Sequence, residues 1–480
     1  MKICLISEGA YPYVTGGVSS WVQSMILNMP EDEFVVYSIS AKERENVTMK
    51  YEQPPNLLEI HTLFLSAYVD ENIRAGKRYN LTEEEKDAFL SLIGGKETNW
   101  VVLFNFFASS RVDSVLNFLS SKDFFDIVHA LCERKFIHVP FTDMFWTLRS
   151  MVLPLFMCID QKIPEADVYH SVSTGYAGVL GALARHQYNK PFLLTEHGIY
   201  TREREEEIIK ADWIKGYFKD IWIDYFYSLS QCAYVFADEV TTLFEGSRQI
   251  QIELGCPADK TSTIANGIDV GKFHTLNRKS KESGIYIGAV VRVVPIKDIK
   301  TMIQSFSIVQ QEIENSYFYI IGPFEEDIEY YDECVEMVEN LGIRNLVFTG
   351  AVNVHDYLSF LDILVLSSIS EGQPLVILEG LAMEIPFVAT DVGSCAELLL
   401  GKYDAFGPSG TIVPVMHFHL MANDIIALAK NPGRRQEYGR NGRERVTSLY
   451  TLPGMIDKYK QLYKEVNTDG RHRLSAERTL

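Results

Sequence analysis

Short apolar runs rich in β-branched and aromatic residues alternate with helical patterns along most of this 480-residue chain. Such alternation is typical of parallel sheets whose strands are connected by helices. A first series of predicted strands comprises 2–7, 34–39, 126–130, 167–171, 191–195 and 239–242. A second series comprises 284–291, 317–322, 346–349, 363–367 and 386–390. The sequence therefore predicts an α/β chain with two doubly wound sheets, each in its own domain.

The segment between the two series contains TIANGIDVGKF at 263–273, with an Asn-Gly turn, and a polar stretch that ends at Ser283. Turn residues and polar stretches of this kind separate compact domains. We therefore predict an N-terminal domain over 1–275 and a C-terminal domain over 276–450.

The first half of the chain is longer than one doubly wound domain needs, and we place the surplus in a helical insertion over about 70–165. Within it, Thr82 and Glu85 have the spacing of a capping box, and Gly94-Gly95 ends the helix. Three further helices are predicted near the C-terminus, over about 417–430, 433–449 and 453–467.

The net charge of −19 argues against a partner that is nucleic acid. The opening MKICLIS has no signal-peptide pattern, and no run reaches the 18 or so apolar residues of a membrane span. The seven cysteines are scattered and never spaced C-x-x-C, which favours free thiols in a reducing compartment. We expect a cytoplasmic globular protein, one that could still associate peripherally with the inner membrane through a partner.

The stretch SSISEGQPLVILEG, which begins at Ser367, contains Glu371 and Glu379. On one continuous helix a spacing of eight would not place both on one face. We predict instead that Glu371 lies in a loop after a strand, and that Glu379 lies inside the helix that starts near Pro374. The helix N-terminus offers N–H groups to a phosphate or to sugar hydroxyls, and a carboxylate two turns in can accept both hydroxyls of a ribose. By itself this glutamate pair is more often two solvated charges.

At VVRVVPIKD, Arg292 follows a predicted strand, and Lys297 precedes a helix for which Asp298 is the predicted N-cap. Two cations on such a junction can clamp a diphosphate, although they can also be ordinary surface charges. Gly16-Gly17 lies between the first strand and the first helix, where a ligand phosphate or an acceptor can approach backbone amides.

His197, in LLTEHGIY, follows another predicted strand, a position that favours an active-site role over a structural one. The sequence contains no D-x-D, no H-E-x-x-H, no Walker loop and no G-x-S-x-G. We therefore expect no metal ion and no other cofactor.

These motifs together resemble retaining glycosyltransferases of family 4, which have the GT-B fold of two Rossmann-like domains that face a cleft. The resemblance covers most of the chain and rests on the early GGV, EHG near 200, NGID before the second series, R-x4-K and EGQPLVILE. More narrowly, EGAYPYVTGGVSSWV and SEGQPLVILE resemble the PelF subgroup, which is linked to synthesis of the exopolysaccharide Pel in bacterial biofilms.

The resemblance implies a role for each matching residue. Glu379 binds the ribose, and Arg292 with Lys297 binds the diphosphate. Glu371 holds the donor sugar together with the loop residues Gly372, Gln373, Pro374 and Leu375. His197 lies beside the transferred sugar, Gly16 and Gly17 lie near the phosphate and acceptor, and Thr349 and Gly350 approach the base. The helix over 453–467 crosses back to the first domain.

The implied reaction is metal-independent transfer of a hexose from a UDP-sugar onto a growing Pel-type glycan, with retention at the anomeric carbon. The residues themselves specify neither the hexose nor the base. Two alternatives stay open: a GT-B nucleotide-sugar epimerase, and a non-catalytic cytosolic subunit of a membrane polysaccharide synthase and export complex. For the second, the insertion and the aromatic segment 213–227 are candidate docking surfaces, although that segment also has the pattern of a buried amphipathic helix.

Overall fold

The computed structural model describes residues 1–41, 48–65, 73, 75–95, 97–274 and 284–477. The chain folds into two compact units. Unit 1 comprises Met1–Thr242, Ser247–Thr263 and Tyr459–Leu480, and unit 2 comprises Leu243–Gly246 and Ile264–Lys458. The predicted boundary between 275 and 276 falls at the start of 275–283, which lies outside the described residues, and the predicted domain limits stay a prediction.

Unit 1 contains a seven-stranded parallel sheet in the order β3-β2-β1-β4-β5-β6-β7. The strands are β1 (Lys2–Glu8), β2 (Glu33–Ser40), β3 (Leu57–Phe64), β4 (Val168–Ser171), β5 (Phe192–Glu196), β6 (Glu239–Thr242) and β7 (Thr261–Thr263). Central strands such as β1 are buried on both faces, because helices cover both sides of a parallel sheet. Continuous apolar runs therefore predicted the central strands well, whereas the more polar edge strands β3 and β7 were not predicted.

The helices before β6 include five, α2 to α6, that lie between β3 and β4. From the N-terminus to β7, the helices are α1 (Gly17–Leu27), α2 (Glu83–Gly94), α3 (Trp100–Ala108), α4 (Val115–Leu119), α5 (Lys122–Lys135), α6 (Phe141–Ile159), α7 (Gly175–Tyr188), α8 (Tyr200–Lys210), α9 (Gly216–Phe236) and α10 (Glu245–Glu253), the last of which follows β6. The predicted capping box is confirmed: the Thr82 side chain accepts from the Glu85 N–H, and the Glu85 carboxylate accepts from the Thr82 N–H. Gly95 ends α2 in the left-handed conformation.

The predicted strand over 126–130 is wrong, because these residues lie inside α5. Ser121 caps that helix through the N–H of Phe124, and the buried residues Phe124, Ile127, Val128 and Leu131 recur at helical spacing. A five-residue apolar run cannot by itself distinguish a buried strand from one face of a helix.

Unit 2 contains a six-stranded parallel sheet in the order β10-β9-β8-β11-β12-β13. Its strands are β8 (Ile285–Val290), β9 (Ser316–Ile321), β10 (Leu346–Phe348), β11 (Ile363–Leu366), β12 (Phe387–Thr390) and β13 (Gly410–Val413). The remaining helices are α11 (Gly271–His274), α12 (Ile299–Glu312), α13 (Ile328–Asn340), α14 (Val354–Leu358), α15 (Leu375–Ala382), α16 (Cys395–Leu400), α17 (Phe418–Lys430), α18 (Pro432–Leu449) and α19 (Leu452–Glu477). The last three correspond to the predicted C-terminal helices, although α19 continues ten residues beyond the predicted end at 467.

Candidate active site

The strand order of the unit 2 sheet reverses once, between β8 and β11. Parallel α/β sheets bind ligands beyond the carboxyl ends of the strands at such a reversal. Arg292 and Lys297 follow β8, and Glu371 follows β11. The structure therefore places these three predicted residues on loops from two adjacent strands, at the same edge of the sheet.

Lys297 and Glu371 form an ion pair between Nζ and Oε1, with side chains only 18% and 13% exposed. Ser368 Oγ donates to the same carboxylate oxygen at 2.6 Å, and Ser367 Oγ donates to the Lys297 carbonyl at 2.8 Å. The predicted roles of the two residues were separate, and their contact was not predicted. The contacts fix the ammonium group in place before a ligand arrives, which is how electrostatic sites are preorganised.

Arg292 is more exposed, and its Nη1 donates to both carboxylate oxygens of Glu326, at 2.7 and 2.5 Å. Glu326 follows β9 and was not singled out from the sequence. An exposed ion pair contributes little stability, so an incoming phosphate can compete for the guanidinium group. The predicted N-cap Asp298 is confirmed, because its carboxylate accepts from the Thr301 N–H at the start of α12.

Gly372 to Leu375 form the loop that leads into α15. Pro374 occupies the N-cap position and Leu375 is the first helical residue, so the N–H groups of the first two helical residues point out of the helix end. The Ile377 N–H donates to the Pro374 carbonyl at 3.1 Å. The side chain of Gln373 is already engaged, since its Oε1 accepts from the Asn266 N–H at 2.7 Å. The side-chain oxygen of Gln373 is therefore occupied, whereas its backbone amide is suited to the predicted contact with a sugar.

Gly393, in the TDVGS segment after β12, supports this loop and was not predicted. Its φ of +52° lies in the left-handed region, and a Cβ there would lie 2.3 Å from the carbonyl oxygens of both Glu371 and Gly372. The next residue, Ser394, donates its N–H to the Gly372 carbonyl at 2.9 Å. The loop that carries Glu371 can pack this closely only because position 393 has no side chain.

Glu379 lies inside α15, and Glu371 lies in the preceding loop, as predicted. Burial raises the pKa of Glu379 to about 7. Within the described part of the chain, no side chain or backbone group pairs with its carboxylate. A half-buried carboxyl group without a partner is costly, and such groups are concentrated at ligand sites.

Thr349 and Gly350 follow β10, at the same edge of the sheet. The Thr349 N–H donates to the Ile320 carbonyl at 3.0 Å, and Gly350 forms an isolated bridge with Gly322. Gly350 has a φ of +69°. The two residues extend the β9–β10 pairing past the strand ends, and their predicted contact with the base stays a prediction.

The sheet of unit 1 also reverses once, between β1 and β4. Gly16 is the N-cap of α1, which follows β1, and it has no side chain to bond the first-turn N–H groups. A Cβ at Gly16 or Gly17 would meet nothing within 4 Å, so the side-chain positions of both residues are open. This geometry leaves the first-turn amides of α1 accessible to an anion.

His197 follows β5, and its Nε2 atom is buried without a hydrogen-bond partner among the described residues. The rings of His197 and Trp21 meet in a T-shaped contact, with the ring centroids 4.9 Å apart. Trp21 Nε1 is also buried without a hydrogen-bond partner among the described residues. Burial lowers the pKa of His197 to about 4, so the imidazole is neutral at pH 7. A neutral imidazole can donate one hydrogen bond to an uncharged hydroxyl group or accept one from it.

Glu8, the last residue of β1, is a second group that the sequence did not single out. Burial raises its pKa to about 7, although the Arg204 charge and the N–H groups of Ala177 and Tyr176 act in the opposite direction. Arg204 Nε, on α8, is buried without a partner in the described residues. The available signal was the position of Glu8 at the carboxyl end of the first strand.

Among the residues that the structure describes, no three His, Cys, Asp or Glu side chains are grouped so that they could hold a metal ion. None of the described helices is long and apolar enough to span a membrane.

Two family models match the chain. The model described as "Domain of unknown function (DUF3492)" matches residues 1–259, which is more than half of the chain. The chain belongs to the DUF3492 family. The model "Glycosyl transferases group 1" matches residues 274–445, which include Arg292, Lys297, Glu371 and Glu379. With the two Rossmann-like sheets, these matches make this DUF3492 protein a GT-B glycosyltransferase that acts on nucleotide sugars.

Individual relatives of this DUF3492 protein are distant. The capsular polysaccharide biosynthesis glycosyltransferase CapM of Staphylococcus aureus is 25% identical over 60% of this chain and 74% of its own. An Escherichia coli galactosyltransferase, named for transfer from UDP-Gal to α-D-GlcNAc-diphosphoundecaprenol, is 24% identical over 63% of this chain and 76% of its own.

Two solved structures share the fold. Sucrose-phosphate synthase from Thermosynechococcus elongatus is 16% identical, with a TM-score of 0.61 over 98% of this chain and 99% of its own. HepE from Anabaena, solved in complex with UDP, is 14% identical, with a TM-score of 0.62 over 97% of this chain and 100% of its own.

Proposed function

We propose that this glycosyltransferase transfers a hexose from a UDP-sugar onto a growing exopolysaccharide of Pel type, with retention at the anomeric carbon and without a metal ion. We further propose that it is a PelF-like member of family 4. The motif order carries the subgroup proposal, and the UDP complex of HepE, a protein with the same fold, supports the choice of base.

One observation carries the donor site: the unpartnered carboxylate of Glu379. It lies in the helix that follows the Lys297–Glu371 ion pair, at the point where the strand order of unit 2 reverses. Hydroxyl donors from a ribose supply the hydrogen bonds that this carboxylate lacks. We therefore assign the ribose to Glu379, the diphosphate to Arg292 and Lys297, and the base to the Thr349–Gly350 segment.

The departing diphosphate gains negative charge in the transition state, and fixed cations nearby lower the barrier. Lys297 provides such a charge because Glu371 and the Ser367 hydroxyl hold its chain segment in place. Arg292 exchanges its exposed partner Glu326 for phosphate oxygens in this proposal. The donor sugar is held by Glu371 and by the backbone amides of Gly372 and Gln373.

Retention without a covalent intermediate is the proposed route. Glu371 is a poor nucleophile, because its carboxylate is already bonded to Lys297 and Ser368. The leaving phosphate instead deprotonates the acceptor hydroxyl on the same face of the sugar. We propose that the neutral imidazole of His197 forms a hydrogen bond with a hydroxyl group of the transferred sugar. We place Gly16 and Gly17 near the phosphate and the acceptor.

The donor site is tested by calorimetric titration of the full chain with UDP, ADP and GDP. We expect UDP to bind most tightly and Glu379→Gln to weaken its binding about tenfold, since hydrogen bonds to a charged group contribute about 1.5–3 kcal/mol. Glu336→Gln, at an exposed position of α13, is the matched control and should bind UDP normally. If none of the three nucleotides binds, the donor site is misplaced, and the non-catalytic subunit becomes the better interpretation.

The raised pKa of Glu379 predicts a pH dependence of UDP binding. As pH rises from 6 to 8 the carboxyl group ionises, and its hydrogen bonds to the ribose become charge-assisted and stronger. We expect UDP affinity to rise over this range in the wild type more than in Glu379→Gln. The phosphate groups of UDP also change protonation over this pH range, and they do so with both proteins. Only the difference between the two pH profiles therefore reports on Glu379. Parallel pH profiles would contradict the assignment.

Gly393→Ala should disrupt the same site indirectly, because Gly393 supports the loop that carries Glu371 and is not itself assigned to the ligand. The added Cβ would lie 2.3 Å from the Glu371 and Gly372 carbonyl oxygens, so the loop must shift. Gly342→Ala is the matched control, because its φ of +63° gives a similar backbone cost with nothing within 4 Å of the new Cβ. We expect UDP affinity to fall at least tenfold in Gly393→Ala and to stay near the wild-type value in Gly342→Ala. Equal affinities in both variants would show that the packing does not support nucleotide binding.

A further inference from the structure

Unit 1 carries a groove between the first half of α6 and the segment that joins α8 to α9. Its cavity has a volume of about 330 Å³, and its walls include Trp146, Trp213 and Trp222. We name it the aromatic groove and define it by these three tryptophans. It lies partly on the segment 213–227, whose inner face is buried through Phe218 and Ile221. Residues 216–227 lie in α9 with one face buried, as the alternative of an amphipathic helix predicted, whereas Trp213 and Tyr217 are exposed.

Two of the three tryptophans of the aromatic groove are far more exposed than their size favours, and Trp222 is partly buried. Trp146 is 57% exposed and Trp213 is 73% exposed. The rings of Trp213 and Trp222 meet edge to face, with centroids 5.8 Å apart. Exposed indoles contribute little to the stability of the fold, whereas a ligand that covers them gains apolar contact area.

The polar groups that line the cavity are neutral or paired, and the guanidinium group of Arg149 lies over the Trp146 ring, 5.5 Å from its centroid. Thr147 and Ser150 contribute hydroxyl groups, and Lys215 Nζ bonds to Asp143 Oδ2 at 2.5 Å. The groove therefore presents aromatic rings with a rim of hydrogen-bonding groups, and one guanidinium group flanks it beside Trp146. Pyranose rings match this surface, because they have apolar C–H faces and hydroxyl groups around the edge. An anionic headgroup or nucleic acid would require a cluster of cations. The charged residues that line the cavity are instead Lys215 and Asp143, which are paired with each other.

The position of the aromatic groove connects it to His197. Helix α8 begins at Tyr200, three residues after His197, and ends at Lys210, three residues before Trp213. Its eleven residues span about 16 Å at 1.5 Å per residue. Lys219 Nζ on α9 bonds to the Ile209 carbonyl at 2.6 Å and so holds the end of α8 next to the groove. A short oligosaccharide can extend over such a distance.

We propose that the aromatic groove binds the acceptor glycan several sugars away from the end that is being extended. The class of ligand is an uncharged oligosaccharide of hexose or N-acetylhexosamine units. This inference rests on the proposed function, and it adds an acceptor subsite outside the residues assigned above. Binding at a distance would keep the growing chain attached to unit 1 between transfers.

The test is a fluorescence titration of the full chain with hexasaccharides of glucose, N-acetylglucosamine and N-acetylgalactosamine. Three of the five tryptophans lie in the groove, so occupancy should change the emission of the protein. We expect at least one hexasaccharide to bind, its monosaccharide to bind much more weakly, and Trp213→Ala to weaken hexasaccharide binding about tenfold or more. Tyr403→Ala is the matched control, because Tyr403 is 60% exposed and lies in unit 2.

UDP binding, measured on the same samples, separates this inference from the proposed function. The inference is overturned if the protein binds UDP but none of the hexasaccharides. It is also overturned if a hexasaccharide binds the wild type and Trp213→Ala equally well. Both results leave the proposed donor site intact. Conversely, glycan binding that depends on Trp213 in a protein that does not bind UDP would support the groove while the proposed function fails.

Discussion

Lys297→Met should lower turnover of the preferred UDP-sugar about 10²–10³-fold, the effect seen when one preorganised group that stabilises developing negative charge is removed. The physical reason is that the cation meets charge that appears only as the diphosphate departs, so the loss falls mainly on kcat. The measurement is release of UDP from UDP-glucose, UDP-N-acetylglucosamine and UDP-N-acetylgalactosamine, with the rate fitted for whichever donor binds.

The control for this variant is Lys300→Met, three residues away. Lys300 forms an ion pair with Glu333 at 2.6 Å and lies on α12, so its removal subtracts the same charge from the same region. We expect its turnover to stay within about threefold of the wild type. Because Lys297→Met leaves Glu371 without its cationic partner, hydrogen exchange of unit 2 peptides is measured in the variant as well, to show that unit 2 is folded. Near-normal turnover in Lys297→Met would remove Lys297 from the mechanism.

Arg445→Met should destabilise unit 2 by about 3–5 kcal/mol, the usual consequence of removing one partner of a buried ion pair. Arg445 is fully buried, and its guanidinium group bonds to both carboxylate oxygens of Asp404, at 2.6 and 3.0 Å. The same group donates to the Leu398 carbonyl at 3.0 Å and to Ser409 Oγ at 2.8 Å. Methionine fills much of the space but satisfies none of these acceptors.

The free energy of unfolding is best measured by hydrogen exchange of unit 2 peptides in urea, since a chain with two units need not unfold in one step. Arg440→Met, at an exposed position of the same helix α18, should change the free energy by about 0.5 kcal/mol or less. In the double variant Arg445→Met/Asp404→Leu, part of the lost free energy of unfolding should be recovered, because no unpaired carboxylate remains buried. A loss in Arg445→Met no larger than in Arg440→Met would contradict the structural role of the buried pair.

The central strands of both sheets could be predicted because strands buried on both faces leave continuous apolar runs in the sequence. The edge strands β3, β7 and β13 could not, because they are short or only partly apolar. The segment 126–130 had the composition of a strand. It is helical because it belongs to α5, which packs one apolar face against neighbouring helices.

The positions of the candidate site residues followed from the same strand pattern. Because Arg292, Lys297 and Glu371 each come after a predicted strand, parallel pairing places them at one edge of the sheet. The placement of Glu379 in the following helix was also predictable, from the proline that precedes it. Their roles in binding and catalysis stay predictions.

The sequence by itself therefore determined the two sheets and the loops that carry the candidate site, and it identified the chain as a glycosyltransferase. Only the tertiary structure decided which side chains meet. The pairs Lys297–Glu371, Arg292–Glu326 and Arg445–Asp404 join residues 74, 34 and 41 positions apart. The unpartnered state of Glu379 and the grouping of Trp146 with Trp213 were decided at the same level. The reason is that local patterns encode the period and the ends of each element, whereas contacts between distant residues depend on how whole elements pack.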